Sequence, residues 1–283
     1  MITTDARNRN QINELHPDAI RRFCPSFYAT APKGDVSDRY AFISTEEISL
    51  QLAEYGWRPV YARESRANDE SNRGLTRHVV RWANDEYRLN GARIELMGTN
   101  SHNRASAFEF MAAIFRLVCS NGLVANTGDL GSFKVRHVGE IGDQIKDAVK
   151  MISDNASLIS GKMKEFHTID LTPDEQGIFA RAALDYVYPE VAPIAPKQLL
   201  TTRRSYDNGT DLWTTYNKIQ ENLTKGGLRG VTRTEDPRTG RPKVRRTKTR
   251  AIKSIQKDIK LNKALWSMTE HMADLVKNGG GHN

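Results

Sequence analysis

Across residues 75–138, apolar and polar positions alternate with the two-residue period of strands, interrupted once by a helical period. Residues 75–83 place Arg77, Val79 and Arg81 on one face and His78, Val80 and Trp82 on the other. Residues 92–97 put Ile94 and Leu96 inward, with Arg93 and Glu95 outward. Residues 133–138 set Phe133, Val135 and His137 against Lys134 and Arg136. The polar triplet Asn84-Asp85-Glu86 reads as the turn between the first two strands, and residues 40–43 as a further short strand. Residues 105–120 carry a helical stripe of Phe108, Met111, Ala112, Phe115, Val118 and Cys119, flanked by Ala107, Phe110, Ile114 and Leu117. Only Glu109, Arg116 and Ser120 are polar along it, which predicts a helix buried on most sides.

Capping chemistry marks the other helices. Ser44 or Thr45, followed by Glu46 and Glu47, starts one that runs to Tyr55 and stops at Gly56. Ile141, Ile145, Val149, Ile152, Ile159, Met163 and Phe166 keep a helical period over a long segment. Thr172-Pro173-Asp174-Glu175 is a capping box with Pro at the first helical position, and its helix runs to Tyr188 before Pro189. Another helix starts at Asp211 and ends at Gly226-Gly227, and a last one spans residues 251–277. Residues 228–250, rich in Gly, Pro, Thr and Arg, read as a mobile loop. The expected class is α+β: a small antiparallel sheet packed on a buried helix, then a mainly helical C-terminal half. The expected divisions are an N-terminal arm at 1–38, an α+β core at 39–190 and a helical region at 191–283.

Charge sharpens this picture. The net charge is +8, and residues 225–263 carry more than the whole of this excess. That stretch holds fourteen Lys and Arg against three acids, Glu235, Asp236 and Asp258, while the remaining 28 basic and 31 acidic residues nearly cancel. Such a block attracts polyanions, nucleic acid first and anionic membrane second. A solvated connector is the bland reading of the same block. No run of eighteen apolar residues is present, so no membrane span is predicted. The polar start and the isolated Cys24 and Cys119 fit a cytoplasmic protein without disulfides.

The sequence carries no Gly-x-x-x-x-Gly-Lys-Ser/Thr phosphate loop and no His-Glu-x-x-His. No catalytic residue, metal ligand or cofactor is assigned. Phosphate binding needs only positioned cations. Arg229, Arg233, Arg238, Arg241, Lys243, Arg245, Arg246, Lys248, Arg250 and Lys253 supply them, interleaved with threonines. A second set, Arg77, Arg81, Arg93, Arg116, Lys134 and Arg136, is expected to line a groove on the sheet. Trp82, Tyr87, Phe133 and Tyr206 are the candidate platforms for stacking bases, although each is more often a core residue.

Several segments together resemble a phage- and plasmid-encoded family, domain of unknown function 932. They are Phe115-Arg116-Leu117-Val118-Cys119-Ser120-Asn121-Gly122-Leu123 preceded by Asn100-Ser101-His102, then residues 133–137, 217–227 and 262–266. Asn103-Arg104 departs from the expected Asp-Gly-type turn after the histidine. The strand-strand-helix-strand core also looks like annealing recombinases of the Red-beta/Erf type. These resemblances imply a phage recombination protein that binds single-stranded DNA and anneals strands without nucleotide hydrolysis, as a homo-oligomer in a ring or filament. The rivals are an adaptor or anti-defence protein acting by protein–protein contact, a metal-dependent nuclease and a non-specific duplex binder.

Overall fold

A computed structural model describes the chain except for residues 1–11, 35–41, 90–91, 104–105, 107, 117–121, 124–132, 136–140, 205–206, 236–237 and 280–283. The class is α+β. The chain divides into two units, Met1–Leu158 and Ile159–Asn283.

The first unit is an antiparallel sheet. Its strands are β1 (Arg58–Glu64), β2 (His78–Leu89), β3 (Ala92–Asn100), β4 (Phe108–Arg116), β5 (Gly122–Leu123) and β6 (Phe133–Val135). They run in the order β1-β2-β3-β4-β5, with β6 also pairing β4. Three expectations need correction. The apolar run at 105–120 contains strand β4 instead of a helix. Its described part lies between β3 on one side and β5 and β6 on the other, and a strand inside a sheet covered on both faces needs no polar alternation. The Asn84-Asp85-Glu86 triplet is no turn: β2 continues through it, with an irregularity between Ala83 and Arg88. Phe42 and Ile43 are not in a strand, while residues 40 and 41, like 136–138, lie outside the described residues.

A short helix, α1 (Pro17–Phe23), precedes the sheet, and the helix that covers the sheet is α2 (Thr45–Glu54), started by Ser44, whose hydroxyl accepts from the Glu47 amide. Trp82 Nε1 donates to Ser49 Oγ at 2.9 Å. Asn100 Nδ2 donates to Ile43 O and Thr45 Oγ1, each at 3.0 Å. Thr45 Oγ1 also meets His78 Nε2 at 2.8 Å. Burial pushes the His78 pKa down to about 3, so the ring is neutral and fits an apolar layer. His102 binds the Ser26 carbonyl at 2.9 Å, tying the N-terminal segment to the sheet.

The second unit is mainly helical. It contains α4 (Pro173–Val187), α5 (Leu212–Lys225) and α6 (Ile255–Gly279), while α3 (Ile141–Thr168) runs through the division. The capping box at Thr172 is present in full, and Asp211 caps α5 by accepting from the Thr214 amide. Phe166, Tyr216 and Trp266 are fully buried, with the Phe166 and Trp266 rings edge to face at 5.4 Å. The expected mobile loop is instead a two-stranded antiparallel ribbon, β7 (Arg229–Glu235) and β8 (Pro242–Lys248).

Candidate nucleic-acid interface

The ribbon forms because β-branched residues recur on both arms, Val231, Thr232 and Thr234 against Val244 and Thr247, across an Asp-Pro-Arg-Thr-Gly sequence. Its register pairs Arg229 with Lys248, Val231 with Arg246, Thr232 with Arg245 and Arg233 with Val244. Directly opposite residues share a face. One face therefore carries Arg229, Val231, Arg233, Val244, Arg246 and Lys248, and the other Thr232, Thr234, Lys243, Arg245 and Thr247.

The base of the ribbon is braced by α5 and by residues 193–204. Helix α5 ends at Gly226, whose φ of 60° admits no ordinary side chain. The Gly227 amide donates to Thr249 O at 2.8 Å, and Ile252 N to Thr224 O at 2.9 Å. Val231 N donates to Pro193 O at 2.8 Å, and Gln198 Nε2 to Arg229 O at 2.9 Å. Arg203 joins Asn222 and the Gly226 carbonyl. Beneath them the Glu221 carboxylate, almost fully buried, takes Arg204 through both oxygens and Lys225 through one. The ribbon is thus a mounted arm rather than a loose tail.

Gly230 is the tightest point of this mounting: a Cβ there would lie 1.9 Å from Pro193 O. Gly230→Ala is expected to break the Val231–Pro193 hydrogen bond and free the base of the ribbon. Hydrogen exchange across residues 228–235 should accelerate by about tenfold or more, on the order of one hydrogen bond's net worth. An unchanged rate would mean that the contact carries no load.

Arg241, Lys243, Arg245, Arg246, Lys248 and Arg250 are exposed along the ribbon, as is Arg229 at its base. Among the described residues none of these seven has a carboxylate within ion-pair distance. Arg238 is exposed near the turn; Arg233 lies opposite Val244, and Lys253 follows the ribbon.

The second expected set is arranged differently. Register does put Arg81, Arg93 and Lys134 on one face of the sheet. That face is no open groove at β2 and β3. Glu95, expected to point to solvent, is fully buried and bridges both arginines: Arg81 Nε at 2.9 Å and Arg93 Nε at 2.5 Å. The two guanidinium side chains are only 13% and 15% exposed, and Arg81 also lies over the Tyr61 ring, 4.6 Å from its centroid. Their charge is answered inside the sheet. Arg77 donates to Ser106 Oγ at 3.2 Å. Arg116 sits opposite Ala92, on the other face by register, and Arg136 lies outside the described residues. Of the stacking candidates, Trp82 is buried and Tyr87 stacks on Trp57 at 5.1 Å. Phe133 is in β6, and Tyr206 lies outside the described residues.

The motifs behind the family resemblance are structural where they are described. Asn100, Ser101 and His102 are buried, as are Asn217, Gln220, Glu221 and Asn222. Asn222 Nδ2 donates to the carbonyls of Leu199 and Thr201, and Gln220 Nε2 to Asn262 Oδ1. Among the described residues no helix is long and apolar enough to cross a membrane.

Comparison with known proteins extends the resemblance over most of the chain. Residues 32–266 match the model of the family described as "Domain of unknown function (DUF932)". The chain is 34% identical over 258 residues to the Escherichia coli (strain K12) UPF0380 protein YfjQ, and likewise to UPF0380 protein YafZ of the same strain, with 90% of each chain covered. No solved structure matches.

Proposed function

The chain belongs to the domain of unknown function 932 family, and we propose that this member binds nucleic acid by holding its phosphate backbone on the basic ribbon. One observation carries the reading: seven exposed Lys and Arg side chains on and beside a braced two-stranded arm, none with a carboxylate partner among the described residues. Side chains two apart on a strand and on one face, such as Arg246 and Lys248, recur about every 6.7 Å. That spacing suits a polymer of regularly placed anions better than a single anionic group. The activity that such a grip serves is single-strand annealing of the phage recombination type. It requires that like-charged strands be neutralised and held with bases accessible, and it needs neither a general acid nor a nucleotide.

The test uses gel shifts with single-stranded and duplex oligonucleotides, with and without magnesium, alongside an annealing assay and mass photometry for assembly. The reading predicts binding to DNA at low salt, and annealing without magnesium. Changing Arg245, Arg246, Lys248 and Arg250 together to Ala should weaken binding by about a hundredfold, from four exposed pairs each contributing up to about 1 kcal/mol. Cleavage that a chelator abolishes would replace this reading with a nuclease. Absence of binding at low salt would turn the same cations towards an acidic protein partner.

A further inference from the structure

A cleft of about 1060 Å³ opens at the base of the ribbon, where β7 and β8 meet residues 191–198. Its wall is apolar: Val191, 70% exposed, with Pro193, Ile194 and Val231, the last 42% exposed. Arg229, Arg246 and Lys248 stand on its rim. No carboxylate and no aromatic ring lines it. The Val231–Pro193 and Gln198–Arg229 hydrogen bonds hold its two sides together, so it is a formed feature of the second unit.

Exposed apolar surface beside three cations calls for a ligand with a flat, weakly polar body and an attached anion. We propose that the cleft seats one unpaired base of a single strand, with the flanking phosphates on Arg229, Arg246 and Lys248. This deepens the nucleic-acid reading and rests on it. The number of cations selects a strand over a free nucleotide or a lipid headgroup: the three rim cations share one face of the arm, and Lys243 and Arg245 stand on its other face, more charge than one anionic group can use and within reach of an extended polyanion that crosses the arm's edge. The seat supplies what the ribbon alone lacks. Phosphate is common to single and double strands, whereas a base enters an apolar cleft only after leaving its pair and its stack. The cleft is thus the part of the molecule that discriminates between them.

The experiment is titration of the full chain with a single-stranded oligonucleotide carrying 2-aminopurine, and with the corresponding duplex. Emission of 2-aminopurine rises when the base leaves its neighbours, and no ring in the cleft would quench it again. The native chain should raise the emission of the single strand and prefer it to the duplex. Val231→Arg keeps the phosphate grip while removing the apolar wall. It should abolish the rise and lower the single-strand preference by about tenfold, on the order of the apolar burial that one seated base would lose, with duplex binding maintained. Val191→Arg, outside the strands, should do the same and guards against a folding defect in the ribbon. If both variants bind and keep the native emission and preference, the cleft is not a base seat, although the ribbon reading stands. Competition by thymidine monophosphate at equal concentration, or by vesicles of anionic phospholipid, would also overturn the seat in favour of a small ligand or a membrane. A native chain that binds neither DNA form at low salt removes the ribbon reading and the seat with it.

Discussion

Glu95→Gln should lower the stability of the sheet by about 3–5 kcal/mol, the cost of leaving buried charge without its partner. Glu95 is fully buried and is the shared counter-ion of Arg81 and Arg93. The amide keeps the shape and loses the charge, so two guanidinium groups would then face each other across adjacent strands with no anion between them. The loss is best read locally, because two units need not unfold in one transition. Hydrogen exchange in peptides covering β2 and β3 should accelerate by two to three orders of magnitude. Replacing all three residues together by apolar ones, Arg81→Met, Glu95→Leu and Arg93→Met, should recover most of the loss, since a packed apolar cluster needs no counter-ion. A small effect of Glu95→Gln would mean that water reaches the arginines. They would then be available to an external anion, as the sequence alone suggests.

The second large effect is expected at Glu221. Its carboxylate is almost fully buried and accepts from Arg204 through both oxygens and from Lys225. Arg204 also approaches Asp207 at 3.4 Å, so one residual partner survives when Glu221 is changed. Glu221→Gln should therefore cost somewhat less than Glu95→Gln, about 2–4 kcal/mol. Because Glu221 lies beneath the turn at Gly226-Gly227, exchange should accelerate in α5 and across the first residues of β7. DNA affinity measured on the folded fraction should change little, since Glu221 touches no ribbon cation. Affinity that falls in parallel with stability would mean that the mounting itself shapes the binding surface.

Local chemistry was legible in the sequence where the signal was local. The caps at Ser44, Thr172 and Asp211 each depend on a few consecutive residues, and each is present. The long apolar period predicted α3 over nearly its observed length. The errors came where neighbours distant in sequence decide the outcome. In β4, Phe108 and Phe110 on one face and Met111 on the other are buried, and over a short run an apolar pattern without strict alternation matches a buried helix equally well. The ribbon was masked by its own charge. Density of Arg and Gly reads as disorder, although Val231, Thr232, Val244 and Thr247 already supplied a strand signal. Strand β1 (Arg58–Glu64) has Pro59 and four charged or aromatic residues, Arg58, Tyr61, Arg63 and Glu64, and so little alternation to find.

The candidate site divides in the same way. The ribbon cations were identified by count alone, since composition is enough to locate a block of charge. Their grouping into two faces required the register. The cleft required contacts between residues 191–198 and 229–248, which no local pattern encodes. Arg81 and Arg93 illustrate the converse. Alternation correctly placed them on one face, but it could not reveal that Glu95 on that face is buried between them.

The central claim is that the ribbon's cations meet polyphosphate, and its most direct test is the salt dependence of DNA binding by the native chain and by the fourfold Ala variant at Arg245, Arg246, Lys248 and Arg250. The native chain should lose affinity linearly in a log–log plot as salt rises. The variant's slope on single strands should be shallower by about 0.7 for each lost phosphate contact, up to about 2.8 for four. Equal slopes for the two proteins, with the variant still folded, would contradict the account.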